Sequence, residues 1–330
     1  MVFFITVLRA LAACLITNAH YTGVYPTDII ANGGLIGDVL FFAVSGYCLC
    51  NIKLSFPKWY GKRLWRIFVP VWLGTAVIIL CGGYSWDSMS WLEWFFYPTY
   101  YHFVASIVLL YIPFYFTMLC ALRRDREKAR RLIIAVLIGI AAVMVLVFLI
   151  FYDKTYYHID VVREPFIRFL FFESMLLGAY FRLNDEKLRN SLRLWHILGM
   201  LVSFVLYFIS KLAFSKYQSL SKFQIVNQFL IFILLYFIFR VFIGLDGKLS
   251  GLPTWIKKGI NFVAGITLEI YIVQYALIAF IRPYFGFPLN WFVITASILI
   301  AAVILHYACQ AIYKLTDVII KGISEMRKEA

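Results

Sequence analysis

The chain has 330 residues, of which 63% are hydrophobic and 15% are charged. A soluble domain is about 45–50% apolar and about 25% charged, so this composition excludes a water-soluble protein and predicts one membrane domain over residues 1–330. The formal net charge is +14. Because the basic residues stand between apolar segments, they indicate membrane topology, and we expect no nucleic acid partner.

Ten predominantly apolar segments are candidates for membrane-spanning helices, since crossing about 30 Å of hydrocarbon takes about 20 residues. They cover residues 3–21, 34–50, 66–82, 103–121, 132–151, 165–181, 194–212, 223–242, 259–279 and 291–313. The segment 165–181 is interrupted by Arg168 and Glu173. Strongly basic and weakly charged loops alternate, and basic loops stay in the cytoplasm. The sequence therefore predicts an all-α bundle of about ten spans with both termini cytoplasmic. We also expect no cleavable signal peptide.

The first predicted span carries two ionisable side chains, Arg9 and His20. Ionisable groups inside a span are costly, which makes both of them functional candidates. Eleven residues is close to three helical turns, so the two side chains project from one face and lie about 16 Å apart along the axis. Two interpretations stay open: a pair of groups along a transmembrane route, or a packing pair bonded to carbonyls of neighbouring helices.

Three further segments follow this pair in a characteristic order. The second span contains Phe-Phe-Ala-Val-Ser-Gly at 41–46, the segment 62–70 that runs into the third span reads Lys-Arg-Leu-Trp-Arg-Ile-Phe-Val-Pro, and a late segment at 265–274 reads Gly-Ile-Thr-Leu-Glu-Ile-Tyr-Ile-Val-Gln. Together with the Arg-x10-His spacing, this ordered set resembles the acyltransferase-3 family of bacterial integral membrane proteins. The late segment is similar to the family's Ser-Leu-Glu-Ile-Tyr-Leu-x-His stretch, except that Gln274 replaces the histidine.

The resemblance implies a multi-pass enzyme of the bacterial inner (cytoplasmic) membrane. Such enzymes transfer an acyl group, commonly acetyl, from cytoplasmic acyl-CoA to a glycan or a lipid-linked saccharide. It implies that Arg9 and His20 form the core of the acyl-transfer site, and that Lys62, Arg63 and Arg66 hold the phosphates of the donor. Independently, Arg forms planar bidentate bonds to phosphate, and spacings of three and four residues place these bases on one helical face.

His20 has the chemistry for two different roles in such a reaction. With an ordinary pKa of about 6.5, a histidine can deprotonate an acceptor hydroxyl near neutral pH. It can alternatively carry the acyl group transiently as a nucleophile. Arg9 can hold the thioester end of the donor, stabilise developing negative charge or orient a polar path, and of these roles we favour positioning of the donor. We expect acetyl-CoA or another acyl-CoA as the cosubstrate, no metal ion, and a stand-alone transferase without an appended domain.

Several polar residues are candidates for supporting roles. Asp38 or Glu269 would orient His20 or pair with a basic residue. Ser45, next to Gly46, favours close packing of helices. The other supporting candidates belong to the late motif and are Tyr271 and Gln274; an amide forms hydrogen bonds but cannot act as a comparable base.

Aromatic and polar segments on the predicted outer side are candidates for receiving the acceptor. Aromatic faces stack on sugars and carboxylates bond hydroxyl groups, although anchoring at the membrane interface explains the same pattern. The titratable candidates there are Glu93, His102, His158 and Asp160.

Two other functional classes stay open. In a transporter or glycan flippase, Arg9, His20 and Glu269 would form a route for a substrate or a proton. A degenerate member of the family with a regulatory role is the third possibility, which Gln274 leaves open. Binding of acetyl-CoA, competed by CoA, would distinguish the transferase from a transporter.

Overall fold

The computed structural model of the protein describes residues 2–154 and 165–329. This part of the chain is built of helices and contains no β-strand, which confirms the predicted all-α class. The longer helices are α1 (Phe3–Ala19), α2 (Gly34–Leu49), α3 (Phe56–Leu80), α4 (His102–Leu122), α5 (Arg126–Phe151), α6 (Ile167–Leu183), α7 (Leu194–Lys216), α8 (Ile225–Gly244), α9 (Thr254–Gly265), α10 (Thr267–Ile281) and α11 (Leu289–Glu329). Short helical turns lie at Trp86–Ser88, Trp91–Phe95, Asp185–Leu188, Gln218–Phe223, Asp246–Ser250 and Arg282–Tyr284.

Six helices in the described ranges are long and apolar enough to cross a membrane, so the protein is a multi-pass membrane protein. They are α3, α4, α5, α7, α8 and the Leu289–Ile320 part of α11. The helices α1, α2 and α6 have only 17, 16 and 17 residues. At 1.5 Å per residue they reach about 24–26 Å, less than a hydrocarbon core of about 30 Å. Ten spans and two cytoplasmic termini therefore stay predictions.

The predicted ninth span, residues 259–279, is wrong as one continuous helix. The backbone leaves helical geometry at Ile266, and α9 and α10 meet there at a bend of 69°. The composition of the chain changes on the two sides of this break. The helix α9 carries Lys257 and Lys258 beside the exposed Trp255, a composition typical of helices in the membrane interface, whereas α10 is apolar.

The chain divides into two compact units. The first unit comprises Met1–Ile16, Gly33–Tyr60 and Phe103–Ala264, and the second comprises Thr17–Asn32, Gly61–His102 and Gly265–Ala330. Most of α1 thus belongs to the first unit, while its last turn and the loop that follows belong to the second.

Close contact between α2 and α6 organises the first unit. A Cβ atom on Gly46 would overlap the carbonyl oxygen of Met175, and one on Gly178 would overlap that of Ala43. The two helices therefore approach each other backbone to backbone, which only glycine permits at these positions. This confirms the packing role that the sequence predicts for Gly46.

A network of charged groups fixes the beginning of α1 in the same unit. Asp185 accepts hydrogen bonds from Arg182 and Arg189, and Arg189 lies 3.4 Å from the carboxylate of Asp246. Asp246 in turn accepts a hydrogen bond of 3.0 Å from the backbone N–H of Phe4. Because the first N–H groups of a helix have no partner within the helix, this carboxylate acts as a cap that holds the start of α1.

In the second unit, α3 lies directly against α10 and α11. A Cβ atom on Gly74 would be 2.5 Å from a methyl carbon of Ile272 and 3.4 Å from one of Leu305. The absence of a side chain at Gly74 therefore lets three helices meet at one level. This arrangement positions the polar residues described next.

Candidate active site

His20 directly follows the last residue of α1 and is half-buried within the second unit. Its backbone N–H donates to the carbonyl of Thr17 at 3.1 Å. Its imidazole meets the ring of Tyr275 edge-on, with 6.2 Å between the ring centroids. The residue proposed to be reactive is therefore presented at a helix end, against a side chain of α10.

Side-chain hydrogen bonds hold the loop that follows His20. The amide of Asn18 donates to the carbonyls of Ile30 and Asn32 at 2.8 and 2.9 Å, closing the loop on itself. The hydroxyl of Tyr25 donates to Asn18 Oδ1 at 2.7 Å and accepts a hydrogen bond from Trp291 Nε1 at 3.0 Å. The loop is thus tied to α11, which restricts the motion of His20.

Gln274 contacts the last turn of α1. Its side chain is 1% exposed, and its Oε1 accepts a hydrogen bond of 2.7 Å from the hydroxyl of Thr17. Its Nε2 is buried and has no hydrogen-bond acceptor among the described residues. A buried donor without a partner is costly, so this amide is suited to bind an acceptor atom of a ligand.

Glu269 forms a pair with a residue that the sequence analysis did not single out. Its Oε1 lies 2.8 Å from Nδ1 of His306 on α11, and Glu269 is 7% exposed. Two roles were predicted for Glu269, orientation of His20 or pairing with a basic residue. The structure places a basic residue, His306, beside it. His306 could have been identified from the sequence, because it is an ionisable residue inside the tenth predicted span.

The three bases predicted to hold the donor all lie on α3, which begins ten residues before the predicted span. Lys62 and Arg66 are exposed and Arg63 is half-buried. The hydroxyl of Tyr313 on α11 donates to the carbonyl oxygen of Arg66 at 3.3 Å. The basic end of α3 is therefore anchored beside the later half of α11.

These contacts define an order of polar groups within the second unit. On α11, Tyr313 and His306 are seven residues apart, about 10 Å along the helix. On α10, Glu269 and Tyr275 are six residues apart, about 9 Å. The series begins at the basic residues of α3, continues through the Glu269–His306 pair, and ends at Gln274 and His20. Polar groups are thus spaced along α10 and α11 between the basic end of α3 and His20.

Arg9 lies in the first unit, where it is half-buried on α1. Its guanidinium Nη2 is 3.9 Å from the sulfur of Cys48, a weak contact. Cys48 also lines a cavity of about 630 Å³. The polar residues around this cavity are Tyr47, Asn51, Arg182 and Arg189.

The other predicted residues of the first unit lie on α2. Asp38 is half-buried. The hydroxyl of Ser45 lies 3.4 Å from that of Tyr111 on α4, at the limit of a hydrogen bond. Ser45 therefore takes part in contacts between helices, next to the packing site at Gly46.

In the second unit, Tyr271 of the late motif packs among aromatic rings. Its ring centroid is 6.0 Å from that of Tyr101, whose hydroxyl donates to the carbonyl of Ile272 at 3.1 Å. These contacts attach the segment before α4 to α10.

Glu93 has a local structural role. Its carboxylate and the side chain of Ser90 form a reciprocal cap on a short helix, and Thr99 donates to Glu93 at 2.7 Å. Hydrogen bonds from Ser90 and Thr99 hold the pKa of Glu93 at about 2, below its usual range. The Ser-x-x-Glu spacing is the sequence signature of such a cap. His102 is exposed at the start of α4, and His158 and Asp160 lie outside the described residues.

Comparison with known proteins adds one match. A family model described as an acyltransferase domain (Acyl_transf_3) matches residues 2–310 of the chain. No curated protein and no solved structure matches it. The matched range includes every candidate residue named above except Tyr313.

Proposed function

Because the chain belongs to the acyltransferase-3 family of membrane acyltransferases, we propose that it transfers an acetyl group from cytoplasmic acetyl-CoA to a hydroxyl of an extracytoplasmic or lipid-linked glycan. The observation that carries this proposal is the series of polar groups in the second unit. It leads from an exposed basic cluster to His20, as a reaction between a phosphate-bearing donor and a hydroxyl acceptor requires.

Lys62, Arg63 and Arg66 are proposed to bind the phosphates of CoA. The early start of α3 supports this role, since all three residues lie within about one turn of a helix and not in a loop. A fixed backbone reduces the entropy lost when the side chains engage phosphate. Arg9 keeps its proposed role in positioning the donor on the basis of its motif.

His20 is proposed to remove the proton from the acceptor hydroxyl. The hydroxyl oxygen then attacks the thioester carbonyl, a C–O bond forms, and the C–S bond to CoA breaks. An acetyl-imidazole on His20 is the alternative route. It predicts label covalently attached to the protein when labelled acetyl-CoA is supplied without an acceptor, whereas general-base catalysis predicts none.

Gln274 Nε2 is proposed to donate a hydrogen bond to the thioester oxygen as negative charge develops on it. A fixed amide donor in an environment without water stabilises such an oxyanion strongly. Burial and the lack of an acceptor within the described structure support this role. In this proposal the glutamine replaces the family histidine as a hydrogen-bond donor and has no role as a base.

The test is to incubate membranes that contain the protein with radiolabelled acetyl-CoA and to follow label into glycan and lipid-linked saccharide fractions. We expect incorporation with the unaltered protein and none with His20→Ala at equal membrane abundance. The matched control is Lys58→Ala, an exposed base in the first turn of the same α3 helix. Incorporation by His20→Ala at the unaltered rate would remove His20 from the mechanism.

A further inference from the structure

The proposed reaction as described so far does not use the Glu269–His306 pair. The two residues come from neighbouring helices, α10 and α11, and their side chains meet at 2.8 Å. Glu269 is almost fully buried, while the side chain of His306 is 27% exposed. The pair therefore combines a buried carboxylate with a partly exposed imidazole.

Its position is between the proposed donor-binding residues and His20. The basic end of α3 is joined to α11 through Tyr313, about two turns from His306. Gly74 of α3 lies at the same height along the helices as the pair, because it contacts Leu305, the residue before His306. A CoA molecule bound at Arg66 would extend its pantetheine arm past this level before its thioester reached His20.

We infer that His306 is the general acid that protonates the departing sulfur of CoA, and that Glu269 positions it. The inference rests on the proposed function. When the C–S bond breaks, its electron pair stays on sulfur, and a proton from the His306 imidazolium converts the thiolate into CoA–SH. The proton of the acceptor hydroxyl goes to His20, so proton exchange with water restores both histidines and the reaction balances.

The hydrogen bond between Nδ1 and the carboxylate leaves Nε2 of His306 to carry the transferred proton. A carboxylate at this position fixes the orientation of an imidazole, as in hydrolases that use a histidine and an acid together. The other titratable or charged groups at this level are Cys309 and Tyr313 on α11, and Arg66 on α3. Glu269 is the group that contacts the imidazole directly.

The experiment compares two donors that differ in one atom, acetyl-CoA and acetyl-seleno-CoA. A selenol is more acidic than a thiol and leaves as an anion without help from an acid, while the rest of the donor is unchanged. We expect His306→Gln to lower kcat with acetyl-CoA roughly 10²–10⁴-fold, the usual contribution of general acid catalysis. With acetyl-seleno-CoA the same variant should stay within about tenfold of the unaltered protein.

Glu269→Gln should show the same dependence on the donor with a smaller loss, because it affects the reaction through His306. An equal loss with both donors, or no loss with either, would overturn the inference. If His306→Gln does not fold, the inference can still be tested with the unaltered protein. Its rates with the two donors should be within about tenfold, and a strong preference for the seleno donor would show that the thiolate leaves without an acid.

A failure of the assignment of His306 can be distinguished from a failure of the proposed function. Absence of acetyl transfer from acetyl-CoA by the unaltered protein would contradict the proposed function. Transfer by the unaltered protein, together with unchanged rates in both variants, would contradict the assignment of His306 alone.

Discussion

The hydroxyl of Thr17 donates a hydrogen bond of 2.7 Å to the side-chain oxygen of Gln274, which joins the last turn of α1 to α10. The other half of the same amide, Nε2, is buried without an acceptor in the described structure. One side of the amide is thus fixed by the protein, and the other side is the donor that we propose for the thioester oxygen.

Replacing Gln274 with Leu should lower kcat about 10²–10³-fold, the range observed when one donor to an oxyanion is removed. Gln274→His, which restores the family residue, retains an N–H donor and should stay within about tenfold of the unaltered protein. The measurement is the rate of acetyl transfer at saturating acetyl-CoA. A fully active Gln274→Leu variant would exclude the proposed oxyanion contact.

Removing Arg66 or Lys62 should weaken binding of the donor more than it slows the chemical step. A hydrogen bond to a charged group contributes about 1.5–3 kcal/mol, and exposure reduces this value, so we expect KM for acetyl-CoA to rise about tenfold for each change to Ala. The effect should decrease with added salt, because exposed charges are screened. Lys58→Ala serves as the control. A similar rise in that variant would indicate loss of general surface charge.

The contact between α2 and α6 predicts the most destabilising small substitution in the first unit. Gly178→Ala introduces a methyl group into the carbonyl of Ala43, and overpacking of this kind costs about 1–3 kcal/mol. Gly139→Ala on α5 is the matched control, since no atom lies within 4 Å of its Cβ position. Thermal unfolding in detergent should show a lower midpoint for Gly178→Ala only. Equal midpoints would mean that the helices separate without cost.

The number of spans can be measured with reporters fused to the chain. Ten spans place both ends on the same side of the membrane, and basic loops predict that this side is the cytoplasm. A reporter that is active only in the cytoplasm should therefore function at the first residue and after Ala330. If only the six candidate helices and the bent α9–α10 pair, counted as one span, cross the bilayer, there are seven spans, the two ends lie on opposite sides and one fusion is inactive.

The pattern of apolar residues was sufficient to predict the helical class and one helix at nine of the ten segments, whereas the ninth segment contains a break between two helices. The reason is physical. In lipid every backbone polar group must be paired, and a long apolar segment achieves this within itself by forming a helix. The family was also identifiable, because its signature lies in local spacings such as Arg9 to His20 and Lys62 to Arg66. The match over residues 2–310 confirms that identification.

Partners between distant segments could not be predicted in the same way. Glu269 and His306 are separated by 37 positions and Thr17 and Gln274 by 257, and nothing in the local sequence relates them. Their pairing depends on how helices pack, which in turn depends on sites such as Gly74, where a missing side chain sets the distance between three backbones. The break at Ile266 was not predicted either, because mean hydropathy does not register a local departure from helical geometry. Hydrophobicity along the chain determines which segments become helices, while steric fit and hydrogen bonding in three dimensions determine which polar side chains meet.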